Sequence, residues 1–87
     1  MIIKLKTVEQ AISVAKQRLA HTYGYKQYQL ASISENALLD YIPKEYFGSE
    51  HLVTGTETQQ GETWYYIGLE NWAVPQEFVE SISSKEN

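Results

Sequence analysis

The chain has 87 residues, of which 43% are hydrophobic, and it contains no cysteine. A chain of this length builds a single core, and its apolar fraction is that of ordinary globular proteins. The absence of thiols excludes a disulfide framework, a thiol nucleophile and a thiolate metal site. The sequence therefore predicts one domain over residues 1–87, with residues 82–87 as a frayed tail.

Charge is divided unevenly along the chain. Residues 1–26 carry five cations and one acid, whereas residues 27–87 carry two cations and ten acids, and the net charge is −4. Nucleic-acid affinity depends on neutralised phosphates, so the long acidic part disfavours DNA or RNA as a partner. The pattern is typical of solvated surface charge, and it also suits a basic protein partner.

The N-terminal stretch MIIKLKTVEQ does not have the features of a signal peptide. It lacks an apolar run of about seven or more residues and a small-residue cleavage site. No segment of the sequence reaches the ~18 apolar residues that a membrane span requires. We therefore expect a cytoplasmic location and no membrane association.

A long amphipathic helix is predicted near the N-terminus, after a short strand or extended arm at residues 2–6. Thr7 and Gln10 have the spacing of a capping box, and Gly24 stands where a left-handed residue commonly ends a helix. Between these signals, apolar residues recur at helical spacing, which predicts a helix over residues 7–23. The residues of this apolar face are Val8, Ala11, Ile12, Ala15, Leu19 and Tyr23.

The segment after this helix fits two structures, because its apolar residues match both strand and helix periods. We favour a strand at 27–33, followed by a short helix that has Ser34 as its cap and runs to Tyr41. A strand at 37–42 is the main alternative. Pro43 then ends the element, and the PKEYFG stretch that it opens is predicted to be a turn or a single helical turn.

Residues 50–69 have the alternating pattern of a β-hairpin, and Gly61 can supply the positive φ that its turn requires. With Gln60-Gly61 as a two-residue turn, each residue of the first strand has a defined partner in the second. The predicted pairs are Thr58–Thr63, Glu57–Trp64, Thr56–Tyr65, Gly55–Tyr66, Thr54–Ile67, Val53–Gly68 and Leu52–Leu69.

The second strand of this hairpin carries large side chains on both faces. Tyr65, Ile67 and Leu69 alternate on one face and are predicted to belong to the core. Trp64 and Tyr66 occupy the other face, over strand glycines and beside glutamates. An antiparallel sheet normally buries one face and leaves the other in water, so either helices cover both faces or the second aromatic face is free for a partner.

At the C-terminal end, the sequence predicts a turn over residues 71–74 and then a helix that Pro75 opens. Phe78, Val79 and Ile82 would form the apolar stripe of that helix. The predicted fold class is α+β: a small antiparallel sheet of three or four strands packed against the N-terminal amphipathic helix, with a short C-terminal helix.

No combination of residues points to a catalytic or metal site. His21 lies near the end of the first helix, where the helix dipole favours a cation, and His51 follows Glu50 in a strand, where neighbours point to opposite faces. The serines lack the nucleophile-elbow pattern, and the five glycines form no phosphate loop. We therefore expect no enzyme activity, no cofactor and no metal.

Non-catalytic protein binding is the function that the sequence favours. A contact patch would combine Trp64 and Tyr66 with Glu57 and Glu62, and Trp72 either flanks this patch or packs against the last helix. A small acidic cytosolic inhibitor, an immunity-type protein, a phage anti-defence protein or an adaptor would fit, with another, basic protein as the partner. Two alternatives remain open: a structural role in which the aromatic face is buried in a homodimer, and a small-ligand binder or, less favoured, an enzyme.

Overall fold

A computed structural model describes residues 1–84 of the chain. Within these residues an antiparallel sheet of five strands has the order β4-β3-β2-β1-β5, and the N-terminal helix α1 packs against it. The α+β class and the N-terminal helix are thus confirmed, whereas the sheet has more strands than the three or four predicted. The strands are β1 Ile2–Leu5, β2 Glu50–Gln59, β3 Glu62–Ile67, β4 Trp72–Pro75 and β5 Val79–Ser83; the helices are α1 Val8–Tyr23, α2 Gln27–Ala31 and α3 Glu35–Leu38; two 3₁₀ turns lie at Lys44–Tyr46 and Gln76–Phe78.

Helix α1 begins and ends where the sequence predicts. The Oγ1 atom of Thr7 accepts a hydrogen bond from the N–H of Gln10 at 3.2 Å, and Oε1 of Gln10 accepts one from the N–H of Thr7 at 3.1 Å. At the other end, Gly24 has a left-handed φ of 70°, which a residue with a Cβ would adopt only with strain. Ala11 and Ala15 are buried, so small side chains let the helix lie close to its neighbours.

The segment predicted to be a strand at 27–33 is instead helix α2 over Gln27–Ala31. The Oε1 atom of Gln29 accepts a hydrogen bond from the N–H of Lys26 at 2.8 Å, and Oγ of Ser32 donates to the carbonyl of Gln29 at 2.7 Å. These local bonds satisfy backbone groups at both ends of a short helix. The apolar spacing of this segment fits both a strand and a helix, and these local hydrogen bonds favour the helix.

Helix α3 begins after Ser34, as predicted, because the Ser34 hydroxyl caps its first turn. It ends at Leu38 rather than at Tyr41, since the N–H of Tyr41 bonds back to the carbonyl of Asn36 at 2.8 Å. This is the bond of a Schellman C-cap, and it places Asp40 and Tyr41 at left-handed φ angles of 55° and 60°. The alternative of a strand in this segment is therefore wrong, and PKEYFG forms the predicted single helical turn.

The β2–β3 hairpin turns where the sequence predicts. Gln60 and Gly61 have φ angles of 52° and 81°, the combination that a two-residue type I′ turn requires. The predicted pairing is confirmed next to the turn. The observed pairs there are Gly55–Tyr66, Thr56–Tyr65, Glu57–Trp64, Thr58–Thr63 and Gln59–Glu62.

Farther from the turn, a β-bulge in β2 changes the register. Val53, rather than Thr54, lies opposite Ile67, because the bulge places one extra residue in β2. Strand β3 ends at Ile67, and Gly68 turns the chain with a φ of 76°. Leu69 lies in this turn and is fully exposed, so its predicted place in the core is wrong.

The predicted C-terminal helix is also wrong. The stretch predicted to be a turn forms most of β4, Pro75 precedes only a 3₁₀ turn, and the chain then continues as β5 beside β1. The serines of this segment are weak helix formers, and pairing with β1 satisfies backbone groups that would otherwise lie on an open edge. Ile82 and Ser83 belong to β5 rather than to a frayed tail, and residues 85–87 of the predicted tail lie outside the described residues.

The core lies between one face of the sheet and the helices, and we call this face the inner face. Its buried strand residues include Tyr65 and Ile67, as predicted. Helix and turn residues close the core from the other side, with Phe47 and Phe78 in edge-to-face contact at a centroid distance of 5.6 Å. The buried apolar residues are Ile3, Leu5, Ala11, Ala15, Leu38, Leu39, Ile42, Phe47, Tyr65, Ile67, Val74 and Phe78.

Candidate functional site: the outer face of the sheet

Trp64 and Tyr66 project from the face of the sheet opposite to the core, and we call this face the outer face. Their neighbours Tyr65 and Ile67 are buried on the inner face, and successive strand residues point to opposite faces. Both Trp64 and Tyr66 are half-buried rather than enclosed. As predicted, Tyr65 and Ile67 of this strand face the core, and Trp64 and Tyr66 lie on the opposite face, where they are partly accessible.

Tyr66 is held in place by a glycine beneath it and a carboxylate beside it. A Cβ atom built on Gly55 would lie 3.8 Å from Cδ2 of Tyr66, so the ring lies against the strand at the position where no side chain intervenes. The phenol donates a hydrogen bond to Oε1 of Glu57 at 2.9 Å. This bond, and then the charge of Glu57, raise the pKa of Tyr66 above its ordinary value of 10.0.

Apolar side chains extend the outer face on either side of the two rings. In β4, Ala73 lies opposite Tyr66 and Pro75 lies opposite Trp64. Farther across the sheet, Leu52 pairs with Ile2 of β1, not with Leu69 as predicted. Leu52 is 67% exposed. The bulge in β2 brings Leu52 onto the same face as Tyr66, and the alternation of the sequence alone does not reveal a bulge.

A shallow depression lies beside Tyr66. It has a volume of about 280 Å³ and is lined by Thr54, Gly55, Tyr66 and Asn71. The hydroxyl of Thr54 donates to the carbonyl of Tyr66 at 3.2 Å and lies 3.3 Å from Oδ1 of Asn71. The depression is open to solvent and does not have the enclosed, convergent polar groups of a small-molecule pocket.

The remaining predicted site residues lie in different places. Glu57 is exposed on the outer face, opposite Trp64. Glu62 is exposed next to the hairpin turn, opposite Gln59. Trp72 lies opposite Ile67 and packs against the core, with its Nε1 atom buried and without a hydrogen-bond partner among the described residues. The structure thus brings Trp64, Tyr66 and Glu57 together, with Glu62 near them, and places Trp72 on the inner face.

The part of the chain that forms β2 to β5 is uniformly acidic. Residues 45–84 contain no lysine or arginine, and Lys44 is the last cation before Lys85. Charges of one sign on an open surface attract a partner of the opposite sign. The acids of this segment are Glu45, Glu50, Glu57, Glu62, Glu70, Glu77 and Glu80.

The two histidines do not form a catalytic pair with a neighbour. His21 is exposed in the last turn of α1. Nε2 of His51 lies 2.7 Å from the carbonyl oxygen of Tyr46 and 3.0 Å from Oγ of Ser49. A carbonyl can only accept, so Nε2 carries the proton that it donates there and is not a base toward Ser49.

A second group of charges lies away from the outer face, between α1 and the turn before β5. Nε of Arg18 lies 3.3 Å from Oε1 of Glu77. Burial is the main cause of a raised pKa at Glu77; Arg18 and Lys6 oppose it, and Asp40 and Glu62 add to it. Burial likewise raises the pKa of Asp40 against the opposing charge of Arg18. Burial thus disfavours the charged forms of Glu77 and Asp40. The contact between Arg18 and Glu77 joins α1 to the turn before β5.

Residues 1–84 contain no group of three or more histidine, aspartate or glutamate side chains placed to hold a metal ion. Over the same residues, every helix is too short or too polar to cross a bilayer. Comparison with protein-family models, curated proteins and solved structures finds no match to this chain. The chemistry of the outer face is therefore the basis for assigning a function.

Proposed function

We propose that this protein binds another protein of basic charge through the outer face of its sheet, without catalysis. The observation that carries the proposal is the position of Trp64 and Tyr66, which remain half-exposed on the face opposite to α1. Tryptophan and tyrosine are the residues most enriched at the energetic centres of protein interfaces. A domain with a small core gains little from leaving part of two large rings exposed to water unless a partner covers them.

The shape of the outer face supports a protein partner over a small ligand. The two rings, Leu52 and Ala73 are apolar side chains spread over strands β2 to β4 on this face, and among the described residues the only hollow beside Tyr66 is a shallow one. Protein interfaces are broad, with an apolar centre and a polar rim. Glu57 and Glu62 supply such a rim at the hairpin end of the face.

Charge supports a basic partner over a second copy of the chain. A two-fold interface brings the same patch of both copies together. Over residues 45–84 a second copy presents seven acids and no lysine or arginine, so this segment of the copy offers Glu57 and Glu62 no opposite charge, and like charges across an interface are costly. A partner rich in lysine or arginine would instead be attracted by the cation-free segment 45–84.

Partner capture by matched variants tests the proposal. Tagged wild-type protein is incubated with a lysate of its native host, and bound proteins are identified by mass spectrometry. The test variant is Trp64→Thr/Tyr66→Thr, because threonine keeps a high strand propensity and removes both rings. The control is Tyr23→Ala/Tyr28→Ala, which removes two rings that are 63% and 74% exposed at a distance in sequence from the sheet.

We expect a basic protein that wild type and the control capture equally and that the test variant loses. Replacing Glu57 and Glu62 with glutamine should weaken capture and make it less sensitive to salt, because exposed charges act mainly by steering and are screened. Equal capture by all variants would contradict the proposal. A mass of two chains in light scattering, reduced to one chain by the threonine variant, would replace it with self-association.

A further inference from the structure

The β2 strand of the hairpin has a free edge beyond the end of β1. Strand β1 pairs with β2 only over Glu50–Leu52, and the N–H of Val53 makes one further bond to the carbonyl of Met1 at 2.9 Å. From Thr54 to Gln59, β2 pairs with β3 alone. This stretch of about six residues is ~20 Å long, and its residues are exposed apart from Gly55.

The type I′ turn determines which backbone groups this edge presents. In a two-residue hairpin the residues that flank the turn are doubly hydrogen-bonded to each other, and the bonded pairs then alternate. Gln59, Glu57 and Gly55 therefore bond to β3, and Thr58 and Thr56 direct their N–H and C=O groups away from it. Among residues 1–84, no hydrogen bond reaches the backbone of Thr56 or Thr58 from that side.

The other edges of the sheet are protected. Strand β4 has four residues and ends in Pro75, which has no N–H to offer. Strand β5 carries a bulge and the charge of Glu80. On the β3 side of the hairpin, the N–H of Thr63 is capped by Oε1 of Gln76 at 3.0 Å. Over Gly55–Gln59 the β2 edge has no proline, no lysine and no side-chain cap on a backbone N–H, and its one charged residue is Glu57.

We propose that the Thr54–Gln59 edge of β2 receives an extended basic segment of the partner as an added antiparallel strand. This inference rests on the proposed function, since it concerns how the same partner is held. Backbone bonds to Thr56 and Thr58 would supply affinity. The added strand would lie in line with β1. Its successive side chains would point alternately to the outer and the inner face of the sheet.

Charge complementarity identifies the chemistry of this segment. Residues of the added strand on the outer face lie beside Gly55, Glu57 and Gln59. Glu57 is exposed there, and no cation of residues 45–84 competes for it. Lysine or arginine at alternate positions of the partner segment would therefore face Glu57, while the residues between them bond to Thr56 and Thr58.

Two methylated versions of one peptide test this geometry. The probe is a fluorescein-labelled octapeptide of alternating lysine and valine, and its binding to the full chain is measured by fluorescence anisotropy. One version is N-methylated on the valines and the other on the lysines, so both carry the same number of methyl groups. In the proposed strand the valine amides face β2 and the lysine amides point away.

We expect the parent peptide and the lysine-methylated peptide to bind alike, and the valine-methylated peptide to bind about tenfold more weakly or worse. In ¹H–¹⁵N spectra, the amides of Thr56 and Thr58 should shift and exchange more slowly with solvent when the parent peptide is added. Failure of the parent peptide to bind, or equal binding by both methylated peptides, would overturn the added strand.

The proposal about the β2 edge and the proposal about the outer face can be contradicted separately. If the threonine variant of Trp64 and Tyr66 loses its partner while the methylated peptides bind alike, the edge assignment falls and the outer face stands. If that variant keeps its partner, the proposed function falls regardless of the peptides.

Discussion

Tyr41 has a left-handed backbone conformation, and its side chain packs little against the rest of the protein. Its φ is 60° and its side chain is 68% exposed. For a residue with a Cβ this conformation costs roughly 1–2 kcal/mol, and glycine adopts it without that strain. We expect Tyr41→Gly to be about 1 kcal/mol more stable to urea than Tyr41→Ala, since both lack the ring and only glycine relieves the strain. Equal stability of the two variants would show that the conformation is unstrained.

Glu77 should make stability depend on pH. Its pKa in the folded chain is raised above 4.5 mainly by burial, and the charge of Arg18 only partly opposes this. Between the unfolded and folded pKa values the folded state binds more protons, so the free energy of unfolding falls as pH rises through that window.

Glu77→Gln isolates this effect, because glutamine keeps the shape and an acceptor for Arg18. We expect wild type to lose stability relative to the glutamine variant as pH rises from about 4 to 7, measured by urea unfolding at several pH values. A difference that grows in favour of wild type with rising pH would contradict a raised pKa.

At the scale of elements, the two glycines of the β2–β3 hairpin differ in how strongly the backbone requires them. Gly61 has a φ of 81°, and a Cβ there would meet nothing within 4 Å, whereas a Cβ on Gly55 would make an ordinary 3.8 Å contact with the Tyr66 ring. Gly61→Ala should therefore destabilise the fold by about 1 kcal/mol through backbone strain alone. Gly55→Ala should be close to neutral in the same urea unfolding experiment. Equal losses would mean that the turn does not set the stability of the hairpin.

Elements whose signals are local could be predicted from the sequence. The Thr7–Gln10 capping box and Gly24 determine α1 by bonds within a few residues, and Gln60-Gly61 determines the hairpin turn and the register beside it. The same register identified Trp64 and Tyr66 as sharing a face opposite to Tyr65. These were the parts of the candidate site that depended on neighbours along the chain.

Elements that depend on distant partners could not be predicted. The segment after Pro75 has an apolar spacing that suits a helix, but it pairs with β1, more than 70 residues earlier. The bulge at Thr54 is likewise invisible to alternation, and it places Leu52 on the outer face rather than the inner face. The sequence leaves Trp72 either flanking the patch or packing against the last helix, because the pairing of β4, which turns its ring to the inner face, is a tertiary contact.

At the scale of the whole molecule, the core lies on one face of the sheet, and the half-buried Trp64 and Tyr66 lie on the other. Helices and turns close the core over the inner face, and the long β2–β3 hairpin extends a molecule whose dimensions are 48 × 28 × 21 Å. The outer face carries rings and acids that the core does not use. The central claim is that Trp64 and Tyr66 serve a partner rather than the fold.

The most direct test measures folding and partner capture on one preparation of the Trp64→Thr/Tyr66→Thr variant. Because the rings are half-exposed, we expect a near-ultraviolet circular dichroism signal from Trp72, cooperative urea unfolding within about 2 kcal/mol of wild type, and loss of the captured basic protein. A variant that has lost its near-ultraviolet signal and cooperative unfolding would show that the rings belong to the core. A well-folded variant that still captures the partner would show that the outer face is not the binding surface.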